Sequence, residues 1–170
     1  TEQNRYNHLV LLCENQEGYR NLIQLVTSGF LDGFYYKPRI DKDLLSRHAK
    51  GLICLSACLR GDLNEALLDD RYADAKRLAF EYQDVFGKGN FFLELQDHAM
   101  DEEARVNREL VPMARRLGVR LIATNDVHYL ERNDAAAHDA LLCVGTNRKV
   151  SDQSRMRFPC PDFYLKSHAE

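Results

Sequence analysis

Short apolar runs, typical of buried strands, alternate along this chain with longer amphipathic segments. The apolar runs cover residues 8–13, 52–55, 91–95 and 121–125. Apolar residues recur at helical spacing over about residues 16–28, 71–86, 101–117 and 133–143. The connections between these segments are short. This alternation predicts βαβ units, and therefore an α/β fold with a parallel sheet or barrel.

Helix-capping and helix-ending residues support these boundaries. Asn15 and Asp101 stand where a helix N-cap is expected, and Gly29, Gly87 and Gly145 stand where helices are expected to stop. The predicted buried face of the first helix consists of Tyr19, Leu22, Ile23 and Val26. A Ser-x-x-Glu capping pattern, Ser167 to Glu170, comes at the end, and we expect both ends to be cut from a longer chain.

Composition restricts the class of protein. The 170 residues suit one domain, and 45% hydrophobic with 29% charged residues is ordinary for a soluble protein. A formal net charge of −3 argues against a strongly basic nucleic-acid module but allows a local basic patch. No apolar run approaches the roughly 20 residues that span a bilayer. The five cysteines form no Cys-x-x-Cys pair, and the first residues have no signal-peptide pattern, so we expect a cytoplasmic protein.

The stretch LIATNDVHY, residues 121–129, has the most distinctive chemistry. A buried strand ends there in Asp126 and His128, which point to the same side if the backbone stays extended. A carboxylate and an imidazole at the carboxyl end of a buried strand suit a metal ion or an acid/base pair. An N-cap aspartate followed by a surface histidine explains the same pattern equally well.

Other potential metal ligands lie near the other predicted strands. They are His8, Cys58, Glu94 and His98, a donor set suited to zinc, manganese or iron rather than calcium. Each also has a structural explanation: a hydrogen-bonded histidine, a buried thiol, a lysine-paired carboxylate and, for His98, a solvated loop. His48 and His168 suit the surface, and His138 suits either a position near the site or one facing water.

Several motifs resemble the PHP domain of bacterial replicative DNA polymerases, the alpha subunit of DNA polymerase III. They are GFYYKPRID (33–41), LSACLRGDL (55–63), FFLELQDH (91–98), LIATNDVHYLERNDAAAHDALLCV (121–144) and FYLKS (163–167). The resemblance covers essentially the whole chain in order. It implies a distorted (βα) barrel with mostly parallel strands, of which residues 1–170 form the C-terminal portion within a much longer polymerase chain.

The resemblance also implies a ligand set. His8, Cys58, Asp126 and His128 match four metal ligands of the family, and Asp126 and His128 are expected to be catalytic as well. The family's opening His-x-His, a following Asp and a later His and Glu would precede Thr1. Two or three divalent ions (Zn, Mn or Fe) in the intact protein would clamp a phosphodiester and activate the attacking water. The implied activity is 3′–5′ exonuclease proofreading, with little or none expected from the 170-residue chain alone.

The implied partners are DNA, the remaining polymerase domains and other replisome subunits such as the sliding clamp, with no membrane. Arg60 suits a phosphate contact or a solvated helix end, and Tyr35, Tyr36, Lys37 and Arg39 suit single-stranded DNA or a packed loop. A non-catalytic scaffold that docks a separate exonuclease, and a stand-alone PHP phosphatase, remain alternatives.

Overall fold

The computed structural model describes residues 6–167 and residue 170. Its strands are β1 (Val10–Cys13), β2 (Leu52–Leu55), β3 (Phe91–Leu95) and β4 (Arg120–Ala123). Its helices are α1 (Gln16–Leu31), α2 (Lys42–Arg47), α3 (Asp62–Leu68), α4 (Tyr72–Phe86), α5 (Asp101–Leu117) and α6 (Ala135–Thr146), with a 3-10 turn at Arg132–Asp134. The fold is therefore α/β, as the alternation of apolar runs predicts.

The four strands form one sheet in the order β1-β2-β3-β4. The pairs β2–β3 and β3–β4 are parallel, so the prediction of a mostly parallel sheet is confirmed. The expected parallel pairing of β1 is wrong, because β1 runs antiparallel to β2 with Cys13 opposite Leu52. The connection through α1 and α2 leaves β1 and enters β2 at the same end of the sheet, where the Glu14 N–H donates to the Gly51 carbonyl at 2.9 Å. That return fixes the antiparallel direction.

The helix boundaries follow local chemistry in part. Asn15 caps α1, its side chain accepting from the N–H groups of Glu17 and Gly18 at 3.0 Å, and Gly87 follows the last residue of α4. Gly29 and Gly145 do not end their helices, contrary to expectation, and α1 continues to Leu31. The loop over Pro38 to Ile40 packs against Gly29, so this glycine provides space rather than a stop. Asp101 is the first residue of α5 rather than its cap.

The inner strands lie at the centre of the hydrophobic core. Leu52 and Cys54 of β2, with Phe91 and Leu93 of β3, are completely buried. Residues from α3, α4 and α5 cover them, notably Leu63, Ala75, Ala79, Leu110 and Met113. Each of these strands has a hydrogen-bonded neighbour on either side in the sheet and is packed in the core, so the loops at their carboxyl ends start from fixed positions.

Helix α1 buries only part of the predicted face. Leu22 packs against the core as predicted, but Tyr19, Ile23 and Val26 are about half exposed, whereas Gly18, Leu25 and Gly29 are buried. A Cβ at Gly18 would lie 1.7 Å from the carbonyl oxygen of Gly51, so the backbones of the two glycines touch. Close backbone contact, rather than the largest side chains, therefore decides how α1 packs.

Within residues 6–167 and at residue 170, no helix combines the length and the apolar character needed to cross a membrane.

Candidate metal centre

Two of the four predicted ligands meet at the carboxyl end of β2. The Sγ atom of Cys58 lies 3.5 Å from Nδ1 of His8, although the two residues are 50 positions apart. Backbone contact holds the segments together, because the N–H of His8 donates to the Arg60 carbonyl at 2.9 Å. The Asn7 side chain donates to the same carbonyl at 3.3 Å. The His8–Cys58 pair is thus fixed by the backbone around both residues.

The separation of these two donor atoms fits a shared metal ion. Tetrahedral zinc with a Zn–S bond of about 2.3 Å and a Zn–N bond of about 2.0 Å separates sulfur from nitrogen by about 3.5 Å. The Sγ–Nδ1 distance of 3.5 Å agrees with that value. Thiolate and imidazole also form a typical donor combination for zinc. The residues present therefore fit one side of a zinc-type site.

The Cys58 thiol lies in an environment that favours its protonated form. Burial raises its pKa, the backbone N–H of Arg60 partly offsets the effect, and the carboxylates of Asp126 and Glu94 raise the pKa further. The influence of Asp126 connects a third predicted ligand electrostatically to the His8–Cys58 pair. A divalent cation would reverse this balance, since it stabilises thiolate and carboxylates together.

The segment with Asp126 and His128 is not extended. Asp126 has a φ of 42°, in the left-handed region, so the backbone turns there. The expectation that an extended backbone points both side chains to one side is therefore wrong. Nδ1 of His128 instead lies 2.6 Å from the Asp126 carbonyl oxygen. A carbonyl only accepts, so Nδ1 donates, and the neutral ring keeps its Nε2 lone pair for a metal ion.

The described residues do not form a complete metal cage. Across residues 6–167 and residue 170, no three or more His, Cys, Asp or Glu side chains lie together closely enough to hold one ion. His8 pairs with Cys58, whereas the His128 ring packs against His138, with ring centroids 5.6 Å apart, and against Phe158 at 4.6 Å. A common centre for all four predicted ligands stays a prediction.

Glu94, which sequence reasoning weighed as a lysine-paired carboxylate, is buried and bonds to neutral donors. One oxygen accepts from the backbone N–H of Ala57 at 3.0 Å. The other accepts from the Gln96 amide at 3.1 Å and from the Thr124 hydroxyl. Ala57 precedes Cys58, and Thr124 lies two residues before Asp126. One carboxylate therefore ties together the loops that carry two candidate ligands.

His98 is a structural residue rather than the solvated loop residue expected. It is 1% exposed, and its ring stacks on Phe163 with centroids 3.9 Å apart. Nδ1 lies 2.7 Å from a carboxylate oxygen of Glu103, and Nε2 donates to the Asn125 carbonyl at 2.9 Å. Both nitrogens are engaged, so His98 has no lone pair for a metal ion in this arrangement. The sequence signal for this pairing was Glu103, which lies five residues after His98 in the first turn of α5 and can therefore reach its ring.

Two cationic side chains lie beside the His8–Cys58 pair. The Lys37 ammonium and the Arg60 guanidinium lie over the Tyr6 ring, at 5.3 and 6.0 Å from its centroid, and this ring stacks near His8. Hydrogen bonding to Lys37 lowers the pKa of the Tyr6 phenol. A cavity of about 390 Å³ opens here, and its lining is of mixed charge, with Arg39 and Lys42 beside Asp41 and Asp62. The Lys37 and Arg60 side chains over the Tyr6 ring, rather than this lining, suit an anionic ligand such as a phosphate ester.

The remaining residues singled out from the sequence have structural contacts. Arg60 also lies 3.6 Å from a Glu65 carboxylate oxygen, and the Arg39 guanidinium packs on Tyr35 at 4.9 Å. Tyr36 is 78% exposed and Tyr35 48%, so Tyr36 is the tyrosine more open to a ligand. Nδ1 of His48 lies 3.4 Å from the Asn21 side chain. His168 lies outside the described residues.

Comparison with known proteins agrees with the motif resemblance. A family model described as the PHP domain matches residues 1–98. The chain is 50% identical over 163 residues to the DNA polymerase III subunit alpha of Treponema pallidum and 46% identical over 163 residues to that of Borreliella burgdorferi. The Thermus aquaticus subunit is 42% identical over 165 residues. The matches cover 96–97% of this chain but only 13–14% of each relative.

Proposed function

The chain belongs to the PHP domain family, and from that premise we propose that it is part of a replicative DNA polymerase alpha subunit with a metal-dependent phosphoesterase centre. In the intact protein this centre would act as a 3′–5′ exonuclease on DNA. The observation that carries the proposal is the 3.5 Å separation of Cys58 Sγ and His8 Nδ1, which equals the spacing around a tetrahedral ion.

The chain's own residues divide the work. His8 and Cys58 would hold a divalent ion (Zn, Mn or Fe) from one side, and Asp126 and His128 would supply the other donors. Bound divalent ions supply charge that polarises a phosphodiester and activates water. The hydrogen bond from His128 Nδ1 to the Asp126 carbonyl selects the tautomer with Nε2 free. Lys37 and Arg60 attract the phosphate and hold it beside the pair.

The context of the module follows from its relatives. We infer that residues 1–170 form the C-terminal part of a distorted PHP barrel whose other ligands, including a His-x-His motif, come from preceding polypeptide. The partners would be the remaining polymerase domains, DNA and replisome subunits such as the sliding clamp, in the cytoplasm. The 170-residue chain alone is expected to show little or no nuclease activity, because about half of the ligand set lies elsewhere.

One observation favours a second candidate function. The described part of the chain holds no cluster of three or more ligating side chains around one point. A PHP domain that stabilises the polymerase and docks a separate exonuclease would need no such cluster. A stand-alone PHP phosphatase is less well supported, because the identity to polymerase alpha subunits extends over 96% of the chain.

Metal content separates these functions. The metal bound per molecule would be measured by mass spectrometry for the 170-residue chain and for a version extended upstream through the His-x-His motif. We expect more metal in the extended version, less after Cys58→Ser in that version, and manganese-dependent cleavage of single-stranded DNA only there. Equal metal content in both versions would contradict the divided site. Metal-free but folded extended protein would favour the scaffold.

A further inference from the structure

A second cavity, about 370 Å³, lies along α6. It is lined by Tyr129, by His138 and Leu142 of α6, and by the 157–161 segment. Its size lies within the range of small-molecule sites in proteins. The proposed metal chemistry does not use this cavity.

The walls of the cavity are aromatic. The rings of His138 and Phe158 meet edge to face, with centroids 4.8 Å apart, and the Tyr129 ring lies 5.3 Å from that of His138. The ring of His128 contacts both His138 and Phe158. Flat π-faces of this kind bind planar aromatic ligands, of which nucleobases are the most widespread class.

One polar group in the lining, the Tyr129 hydroxyl, has capacity left for a ligand. The Tyr129 hydroxyl is buried and has no hydrogen-bond partner that satisfies normal geometry among the described residues. The Phe163 backbone N–H acts on this hydroxyl by lowering its pKa, but an N–H only donates, so the hydroxyl hydrogen lacks an acceptor. A buried donor without an acceptor costs free energy, which a ligand's acceptor atom would recover.

The charge of the cavity favours an anion. Asp139, the acidic residue in the lining, is neutralised by a bidentate ion pair with Arg155 at 2.6 Å. Arg157 donates only to the carbonyls of Val150 and Asp152, and within the described part of the chain no carboxylate oxygen lies within 4 Å of its guanidinium. Arg155, which does not itself line the cavity, neutralises Asp139, so the positive charge of Arg157 is left over when His138 is neutral.

We propose that this cavity binds the terminal nucleotide of a single DNA strand, its base against Phe158 and His138 and its acceptor atoms at the Tyr129 hydroxyl and Arg157. The site rests on the proposed function, since it places the strand end one ring away from His128, where phosphodiester cleavage is proposed. Stacking on aromatic rings tolerates every base, which suits removal of any terminal nucleotide.

The test measures binding without metal, so that it is independent of the metal-centre proposal. A short oligothymidylate with 2-aminopurine at its 3′ end would be titrated with the 170-residue protein in EDTA, and the quenching of its fluorescence recorded. We expect quenching with a dissociation constant that rises about tenfold in Phe158→Ala, the scale of one lost base stack. Tyr129→Phe, which keeps the ring, is expected to raise it about fivefold.

Matched controls make the result decisive. Phe80→Ala removes a half-exposed ring on α4 and should leave the titration unchanged. The same oligonucleotide with an abasic 3′ residue should bind at least about tenfold more weakly. Absence of quenching by the unmodified protein, wild-type affinity in both cavity variants, or equal binding of the abasic strand would each overturn the proposal. If Phe158→Ala fails to fold, as judged by circular dichroism, the isosteric Tyr129→Phe decides.

Discussion

The Sγ atom of Cys58 and the Nδ1 atom of His8 lie 3.5 Å apart, at the spacing that two ligands of one tetrahedral ion adopt. Zinc added to the 170-residue protein should therefore slow the alkylation of Cys58 by iodoacetamide. His8→Ala should abolish this protection, because the ion loses one of two donors. Alkylation of Cys13, an exposed cysteine of the same protein, serves as the control, because its rate should not respond to zinc. Equal protection in His8→Ala would contradict a shared ion.

Zinc affinity should depend on pH in a defined direction. Burial raises the pKa of the Cys58 thiol, so at neutral pH an incoming ion must displace a proton. Affinity should therefore rise with pH until it passes the thiol pKa. In Cys58→Ser this part of the dependence should disappear. The measurement is zinc titration by calorimetry in buffers of different ionisation enthalpy, which counts the protons released. Release of no proton would show that the thiol is not a ligand.

Replacing the buried carboxylate of Glu94 should destabilise the fold. In Glu94→Gln an amide NH₂ must face donors from Ala57, Gln96 or Thr124, which leaves buried groups unpaired. A loss of about 1–3 kcal/mol in the free energy of unfolding is expected, measured in urea. Glu109→Gln, an exposed change on α5, should cost less than about 0.5 kcal/mol. Similar losses for both would contradict a structural role of the buried carboxylate.

The acidic pair at the start of α5 offers neighbouring positions with opposite expectations. Glu103 is 3% exposed and accepts from the His98 backbone N–H at 2.6 Å, while its other oxygen meets the His98 ring. Glu103→Ala should cost about 1–3 kcal/mol in urea unfolding, because the buried backbone N–H and ring nitrogen of His98 both lose their partner. Glu102→Ala, next to it and exposed, should change stability by less than about 0.5 kcal/mol. An equal or larger loss of unfolding free energy at Glu102 would contradict the structural role of Glu103.

Two glycines in helices should respond in opposite directions to alanine. At Gly18 a Cβ would lie 1.7 Å from the Gly51 carbonyl oxygen, so α1 must move away from the turn before β2. Gly18→Ala should cost at least about 2 kcal/mol. Gly145 lies in α6, and a Cβ added there would meet no atom within 4 Å. Gly145→Ala should therefore stabilise the folded protein by about 0.5 kcal/mol. Thermal melting measures both, and a stable Gly18→Ala protein would contradict the close contact.

Strand positions were predictable where apolar runs were short and bounded by polar residues. The bounds of β2 and β3 agree with the 52–55 and 91–95 runs, since both strands are buried and need continuous apolar sequence. Strand direction was not predictable for β1, because periodicity carries no information about orientation. The antiparallel pairing depends on where α2 returns the chain to the sheet.

The site was predictable as a set of residue types rather than as a geometry. Sequence motifs identified His8 and Cys58, which the fold brings together, but not the left-handed turn at Asp126 that repositions the next side chains. His98 was misjudged because an imidazole next to Asp97 suggests solvent. Glu103, five residues later, was a local signal, but only the tertiary structure places Phe163 against the ring. Burial of polar groups depends on contacts distant in sequence, which local patterns do not encode.

Strand order in the sheet follows chain order, β1-β2-β3-β4, with every strand beside its predecessor. When a polypeptide with this arrangement leaves the ribosome, each new strand finds its neighbour already synthesised, and no strand waits for a later one. The sheet can therefore grow in the direction of translation, one strand and its helices at a time. The loops bearing Cys58 and Asp126 would then come into register last, once β4 has been added.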